Sequence, residues 1–476
     1  MKIKTTFVGM ASFLVMLLAW PQMPSMAQEV PAHAITNVTI HMADGATLES
    51  ADIVWRNGII EQIGVNESIP FDAFIIDGGD SLHVYPGLID GMATWGSPET
   101  PRDLPRLENP GKPPYDRAGA QPQRVPEHYL NEDKAFEAAM KAGFTLVALG
   151  LDGQMLPGHI QPFNLSAPML TQAHVFANPL ALQGSFETAP GGWGSGAYPS
   201  TQMGVMAYFR QLMYDATALQ EHMMYFEKHS EMTQPEQNDV LEALFALVNK
   251  EYPLYFEVDS KEEIERLFRL QDEFGFDVVL VSAKEASALS NELKSRNIAV
   301  LASIDVTEMP DWLEKENKEA KKDDEEGSES EEEGDSEDAD DSEDADDSED
   351  TESEELTEEE VMFRSKQKEA WEKEINNVSA LLEAGIPTGF TSAGLSPKEL
   401  QQKVDLITEN STLTKNDIVG LMTAHNANIL GISNRVGTIK EGNSAHLILT
   451  DGPLFEKGTN IHIQVSQGVI NDFMED

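Results

Sequence analysis

The sequence predicts an α/β protein: a parallel sheet covered by helices, with a smaller all-β part made from the two chain ends. Through the middle of the chain, strand-like and helix-like segments alternate, and βαβα alternation lays strands side by side and parallel. Before and after that region, strands follow one another with only turns between them. The 476 residues and 40% hydrophobic fraction suffice for one large domain and a smaller companion.

From Ala34 to Val84 the chain reads as short strands. Ile35–Ile40, Ala51–Trp55 and Ile59–Ile63 are strand-like, and Asn57-Gly58 is a hairpin turn signal. Val84–Asp90 is a further apolar run. The alternation then begins, with helix-like Asn131–Ala142 before strand-like Thr145–Leu149, and helix-like Asn238–Lys250 before Leu254–Val258. Glu262–Phe274 carries Ile264, Leu267, Phe268 and Leu270 along one side, as an amphipathic helix does. Asp277–Val281, Lys284–Arg296 and Ala299–Ile304 continue as strand, helix and strand. Leu356–Ala384 reads as a long helix with the strand Pro387–Phe390 behind it, and Ala445–Thr450 and Ile461–Val465 return to bare strands.

Two kinds of segment break this rhythm. Ser97–Val125, rich in Pro, Gly and Arg, is too long for an ordinary connection and predicts a lid or surface loop; Pro190–Pro199 is a shorter, Gly-rich case. The other break is acidic. Asp323–Glu360 holds 25 Asp or Glu and no Lys or Arg, and a hexad Asp-Ser-Glu-Asp-Ala-Asp runs from Asp335 and again from Asp341. Such a stretch has too little apolar surface to order itself, so residues 313–356 are expected to form a disordered acidic insertion. Thr357 with Glu360 fits a capping box where order returns, and Gly385 suits the far end of the helix that follows.

The net charge is −50, half of it in this tract. A surface so acidic repels the phosphate backbone, which argues against DNA or RNA as a partner. Residues 1–27 read as a secretory signal peptide, with Lys2 and Lys4, an apolar run from Phe7 to Trp20, and the small-x-small site Ser25-Met26-Ala27 ahead of Gln28. That run is short for a membrane span and no later segment supplies one, so the mature chain is expected to be exported, periplasmic or secreted, without a span. With no Cys, it would carry neither disulfides nor a lipidated Cys.

Val84-Tyr85-Pro86-Gly87-Leu88-Ile89-Asp90 resembles the first barrel strand of the amidohydrolase superfamily, where a Pro-Gly-hydrophobic-Ile-Asp stretch runs into His-x-His. Leu430-Gly431-Ile432, Arg435-Val436-Gly437-Thr438-Ile439, Glu441-Gly442-Asn443 and Ala445 are similar to that superfamily's closing signature. Ala142-Gly143-Phe144-Thr145, Ala197-Tyr198-Pro199-Ser200 and Met203-Gly204 resemble its imidazolonepropionase-like members. Order and spacing carry the resemblance over most of residues 34–470. It implies a (β/α)8 TIM-type barrel over residues 86–429, a small β-sandwich domain from residues 28–85 and 430–476, and a hydrolase of C–N bonds that uses Zn. In such a barrel the acidic insertion leaves from the C-terminal face of the strands, beside the pocket mouth.

The residues at the implied ligand positions depart from the superfamily's pattern. Counting on from Asp90, the His-x-His pair falls on Met92 and Thr94. Alternation along a strand puts such a pair on one face, but a thioether and a protonated hydroxyl are poor Zn²⁺ ligands. The His residues after the fifth and sixth strands fall on Glu257 or Asp259 and on Ser282, and no His lies between His229 and His425. The last catalytic carboxylate falls on Ser392, in Phe390-Thr391-Ser392. A metal-bound water needs a metal to lower its pKa and a carboxylate to take its proton, and this residue set supplies neither.

Other pocket candidates remain. His159, in Leu156-Pro157-Gly158-His159, is expected on the site side, or else as a loop His bonded to backbone. Glu257 and Asp259, with Asp152 and Asp305 at neighbouring strand ends, form either a carboxylate set suited to Ca²⁺ or Mg²⁺ or the ordinary strand-end acids of an acidic protein. Three functions follow. A non-catalytic member would bind a small-molecule ligand or an intact amidohydrolase relative, with no resident cofactor. A hydrolase of non-peptide C–N bonds would need an atypical metal site. An acidic structural or calcium-buffering protein would work through its acidic tract.

Overall fold

The structure, a computed structural model, describes residues 30–318 and 356–473 apart from 44, 80, 102, 132–133, 168–173, 230 and 232. The expected signal peptide and most of the expected acidic insertion lie outside the described residues. At the insertion's near edge, 311–318 are helical. No helix among the described residues is long and apolar enough to cross a membrane.

Strands β1 (His33–His41), β2 (Thr47–Arg56) and β3 (Ile59–Val65) form an antiparallel meander. Asn57 and Gly58 join β2 to β3 with φ of 52° and 74°, the left-handed pair a two-residue hairpin requires. β4 (Phe74–Asp77) and β5 (His83–Pro86) run parallel to β1. The far end of the chain adds β14 (Leu447–Thr450), β15 (Ile461–Ser466) and β16 (Val469–Asp472), joined through the antiparallel pair β14–β5. The small domain expected from both chain ends is thus present, with its eight strands hydrogen-bonded into one sheet. It has its own core, including Ile35, Ile53, Trp55, Val84, Leu447 and Ile463.

A second eight-stranded sheet follows chain order: β6 (Leu88–Ala93), β7 (Phe144–Leu149), β8 (His159–Asn164), β9 (Ala181–Ser185), β10 (Leu254–Val258), β11 (Val278–Ser282), β12 (Ala299–Ser303) and β13 (Thr388–Thr391). The apolar run Val84–Asp90 is divided between the two sheets at Gly87. A Cβ there would lie 2.2 Å from Thr145 Oγ1, so a glycine is needed where the chain crosses over. Seven strands run parallel, and β8 runs antiparallel to both β7 and β9. The continuous alternation read from the sequence fails here. The connection from β7 to β8 is too short for a crossover helix, so the chain can only return as a hairpin.

Strand parity sorts the barrel's side chains. On β10, Leu254, Phe256 and Val258 face outward and pack with Ile264, Leu267 and Leu270 of the helix Lys261–Phe274. Tyr255 faces inward with Ile89, Leu146, Val279, Val281 and Leu301. Glu257 has the parity of Tyr255, one layer nearer the C-terminal end.

The helices begin where the sequence signals them. Ser260 and Glu263 form a capping box on Lys261–Phe274, and Thr357 and Glu360 form the expected one on Glu358–Ile375. The helix read over Leu356–Ala384 breaks at Asn376 into Glu358–Ile375 and Asn377–Glu383. Tertiary bonds explain the break. Buried Asn377 donates to the carbonyl of Ala283 (3.0 Å) and accepts from the amide of Ser287 (2.8 Å), tying the second piece to the exit of β11.

The two ends of the barrel sheet, β6 and β13, meet without a backbone ladder among the described residues. Side chains span this seam instead. Asn426 follows a π-helical turn at Leu421–His425, and its Nδ2 donates to the carbonyls of Ile89 and Phe390, at 2.7 Å each. Asp90 on β6 accepts from the amide of Ser392, just past β13, at 3.2 Å and from the Ser392 hydroxyl. Gly91 lets the strands close: a Cβ there would lie 2.7 Å from Leu301 Cδ2 and 3.0 Å from the Phe390 carbonyl.

Candidate functional site

A cavity of about 340 Å³ opens at the C-terminal ends of the barrel strands. β6 and its exit supply Met92, Thr94 and Trp95; β10 supplies Glu257, β11 Val281 and Ser282, β12 Ser303 and β13 Thr391. Four of the five positions read as ligand positions therefore line one space. Parity brings them together: Glu257 stands above inward-facing Tyr255, and Met92 packs with the interior cluster that includes Tyr255 and Val281.

Glu257 is exposed to this space and makes no hydrogen bond or ion pair among the described residues. Burial within the mouth, together with the carboxylates of Asp259, Glu187, Asp152 and Glu263, raises its pKa. Ser282 ends β11 in a left-handed conformation (φ 68°) and Ala283 follows with φ 47°. The Ser282 hydroxyl donates to Asp259 Oδ1 at 2.5 Å.

The fifth position, Ser392, is buried and taken up by Asp90. Asp90 is wholly buried, and its Oδ1 also accepts from the Met92 amide at 3.2 Å. Burial pushes its pKa up to about 6, against the opposing pull of the bonds from Ser392 and Met92.

The remaining candidates lie apart from this cavity. Asp259 faces a second cavity, of about 910 Å³, outside the barrel between the exits of β10 and β11 and the helix Glu358–Ile375. Asp152 accepts from the amide of Thr100 at 2.9 Å, while its own amide donates to Ser97 Oγ at 2.7 Å, which pins the start of the long Ser97–Val125 segment. Asp305 pairs with Lys403 Nζ at 3.1 Å, and the same ammonium bonds Glu308 (2.6 Å) and the Val306 carbonyl (2.7 Å). His159 is not a loop residue: it opens β8, with Nδ1 3.2 Å from the Arg124 carbonyl and its ring against Tyr252, ahead of β10. The carboxylates expected as a possible set thus have separate partners, and only Glu257 enters the barrel mouth.

The superfamily's zinc can be tested against these donors. Among the described residues, no three His, Asp or Glu side chains group closely enough to hold a metal ion. The cavity offers one carboxylate, a thioether and several neutral hydroxyls. Zinc takes thiolate, imidazole and carboxylate ligands, and Ca²⁺ or Mg²⁺ takes a nearly complete oxygen shell, so this donor set fits neither.

The structure adds residues the sequence reading omits. Trp95, Ser303 and Thr391 line the cavity, and Ser303 could have been found by applying to β12 the parity used for β10. Gln183 on β9 fills the interior close to Gly150 and Met92, and its Oε1 accepts from the Leu151 amide at 3.0 Å. No local signal marks it.

Eight strands in a nearly closed barrel with a pocket at their C-terminal ends, mounted on a sheet from both chain ends, define a TIM-type barrel protein with a composite β-domain. Residues 277–475 match the sequence model of the Amidohydrolase family. The crystal structure of an amidohydrolase from Thermotoga maritima MSB8 is similar, with a TM-score of 0.68 and 18% identity over 92% of this chain and 99% of that one. A prolidase crystallised with N-methylphosphonate-L-proline gives a TM-score of 0.50 and 13% identity over 93% of this chain and 99% of that one. Identities this low speak to the fold alone. No curated protein sequence matches the chain. Over residues 277–475 the chain thus matches the Amidohydrolase family, and over most of its length its fold is similar to that of an amidohydrolase.

Proposed function

We propose that this chain is an exported, ligand-binding member of the superfamily, from its imidazolonepropionase-like branch, that does not perform metal-dependent hydrolysis of C–N bonds. One observation carries the reading. Of the side chains at the implied ligand positions in the mouth, Glu257 alone is ionisable; Met92, Thr94 and Ser282 are neutral, and Ser392 is bound to Asp90. The fold supplies a pocket of small-molecule size, and the side chains in it, not the fold, decide the chemistry. Export rests on the signal-like residues 1–27. A carboxylate-only metal site is disfavoured, because Asp152, Asp259 and Asp305 are bonded elsewhere.

The test is an assay of the purified mature chain against amide, lactam and cyclic ureide substrates, with zinc added and with chelator. The reading expects no turnover above the uncatalysed rate in either condition. Turnover that chelation abolishes and zinc restores would overturn it.

A further inference from the structure

We propose that the barrel-mouth cavity takes a ligand bearing an ammonium or similar cationic group, which pairs with Glu257 while its apolar portion rests against Met92 and Trp95. This rests on the ligand-binding reading above. Among the described residues, Glu257 is the only charged one lining the cavity, and no Lys, Arg or His lines it. Nearby cations are engaged elsewhere: Lys403 holds Asp305 and Glu308, and Lys284 pairs with Glu374 at 3.2 Å. Among the described residues the carboxylate therefore faces the space without a counter-ion, in the field of four further acids, Asp259, Glu187, Asp152 and Glu263. An anionic ligand would meet repulsion from all five. A neutral one would leave the charge unbalanced, and a cation would gain a charge-assisted hydrogen bond in a partly desolvated mouth.

The walls fit the rest of such a ligand. The cavity is about 340 Å³, at the small end for small-molecule sites. Trp95 is held by edge contacts with Phe136 and Phe144, so its ring is already in place. An indole favours a nearby cation, and the Met92 thioether adapts to apolar shapes. Thr94, Ser282 and Thr391 add hydroxyls for orientation.

The experiment uses three probes of one skeleton, phenethylamine, phenethyl alcohol and phenylacetate, titrated into the full mature chain by calorimetry and ligand-observed NMR. The amine is expected to bind about tenfold or more tighter than the alcohol, with phenylacetate weakest. Glu257→Gln should bring the amine down to the alcohol's affinity and leave the alcohol unchanged. Because Glu257 has no partner to lose, the variant should fold normally, which circular dichroism checks. Asp152→Asn, outside the cavity, should weaken the amine less. Equal affinity for amine and alcohol, preference for phenylacetate, no amine binding, or an unaffected Glu257→Gln would overturn the proposal. Metal content measured on the same sample separates the two failures. Stoichiometric zinc defeats the ligand-binding reading itself, whereas metal-free protein that prefers the neutral probe defeats the cationic ligand alone.

Discussion

Asn426→Leu is expected to destabilise the protein by about 3 kcal/mol, because it strands two buried carbonyls that cost roughly 1–3 kcal/mol each when left unpaired. Leucine keeps the branching of asparagine but puts two bulkier methyls in place of the amide oxygen and nitrogen, so crowding against Gly389 adds to the lost hydrogen bonds. The bonds at stake join Ile89 on β6 to Phe390 on β13, where the barrel has no ladder among the described residues. A surface asparagine replaced in the same way should change stability little. Urea unfolding measures the difference, with an unchanged m-value showing that the two unfolding reactions compare. A shift below about 1 kcal/mol would mean that the seam is held chiefly by other contacts.

Asp90→Asn is expected to alter how stability responds to pH. Asparagine can keep the partners of the carboxylate: its oxygen can accept from the amides of Met92 and Ser392, and its NH2 can donate to the Ser392 hydroxyl. What it removes is a buried charge. The pKa of Asp90 is raised from 3.8 to about 6, so the folded chain holds this proton more tightly than the unfolded chain. The associated stability is fully present below about pH 4 and is lost as pH rises to about 6, a change of about 3 kcal/mol. The stability of Asp90→Asn relative to wild type should therefore rise through that window and level off above it. Taking the difference cancels the titration of the other carboxylates. A difference that stays flat from pH 4 to pH 7 would show that Asp90 ionises in the folded state as readily as in the unfolded one.

These two side chains mark the limit of what the sequence discloses. The strands from Leu254 onward are legible because each is a short apolar run bounded by turns or helices, but the choice between Glu257 and Asp259, which share a parity, is made only by the structure, where Glu257 lines the cavity. Met92, Thr94 and Ser282 follow from the superfamily's spacing and do share one cavity. The partner of Ser392 lies 302 residues away, and no local pattern announces such a bond. Asn426 lies in a helical stretch where an asparagine reads as ordinary. The antiparallel β8 escapes notice because a hairpin return leaves the same strand-like residues as a parallel strand would. For that reason His159 reads as a pocket candidate, yet its ring goes to Arg124 and Tyr252. Asp152 and Asp305 read as free strand-end acids, since their loop and lysine partners come from distant segments.

The most direct test of the account is the metal content of the chain, purified from its native source without a metal-affinity step and dialysed against metal-free buffer. Elemental mass spectrometry should find zinc, and every other divalent transition metal, well below one ion per chain, because a thioether, hydroxyls and one carboxylate cannot retain them. Zinc retained at one or more ions per chain, and lost when Met92, Thr94 or Glu257 is replaced, would contradict it.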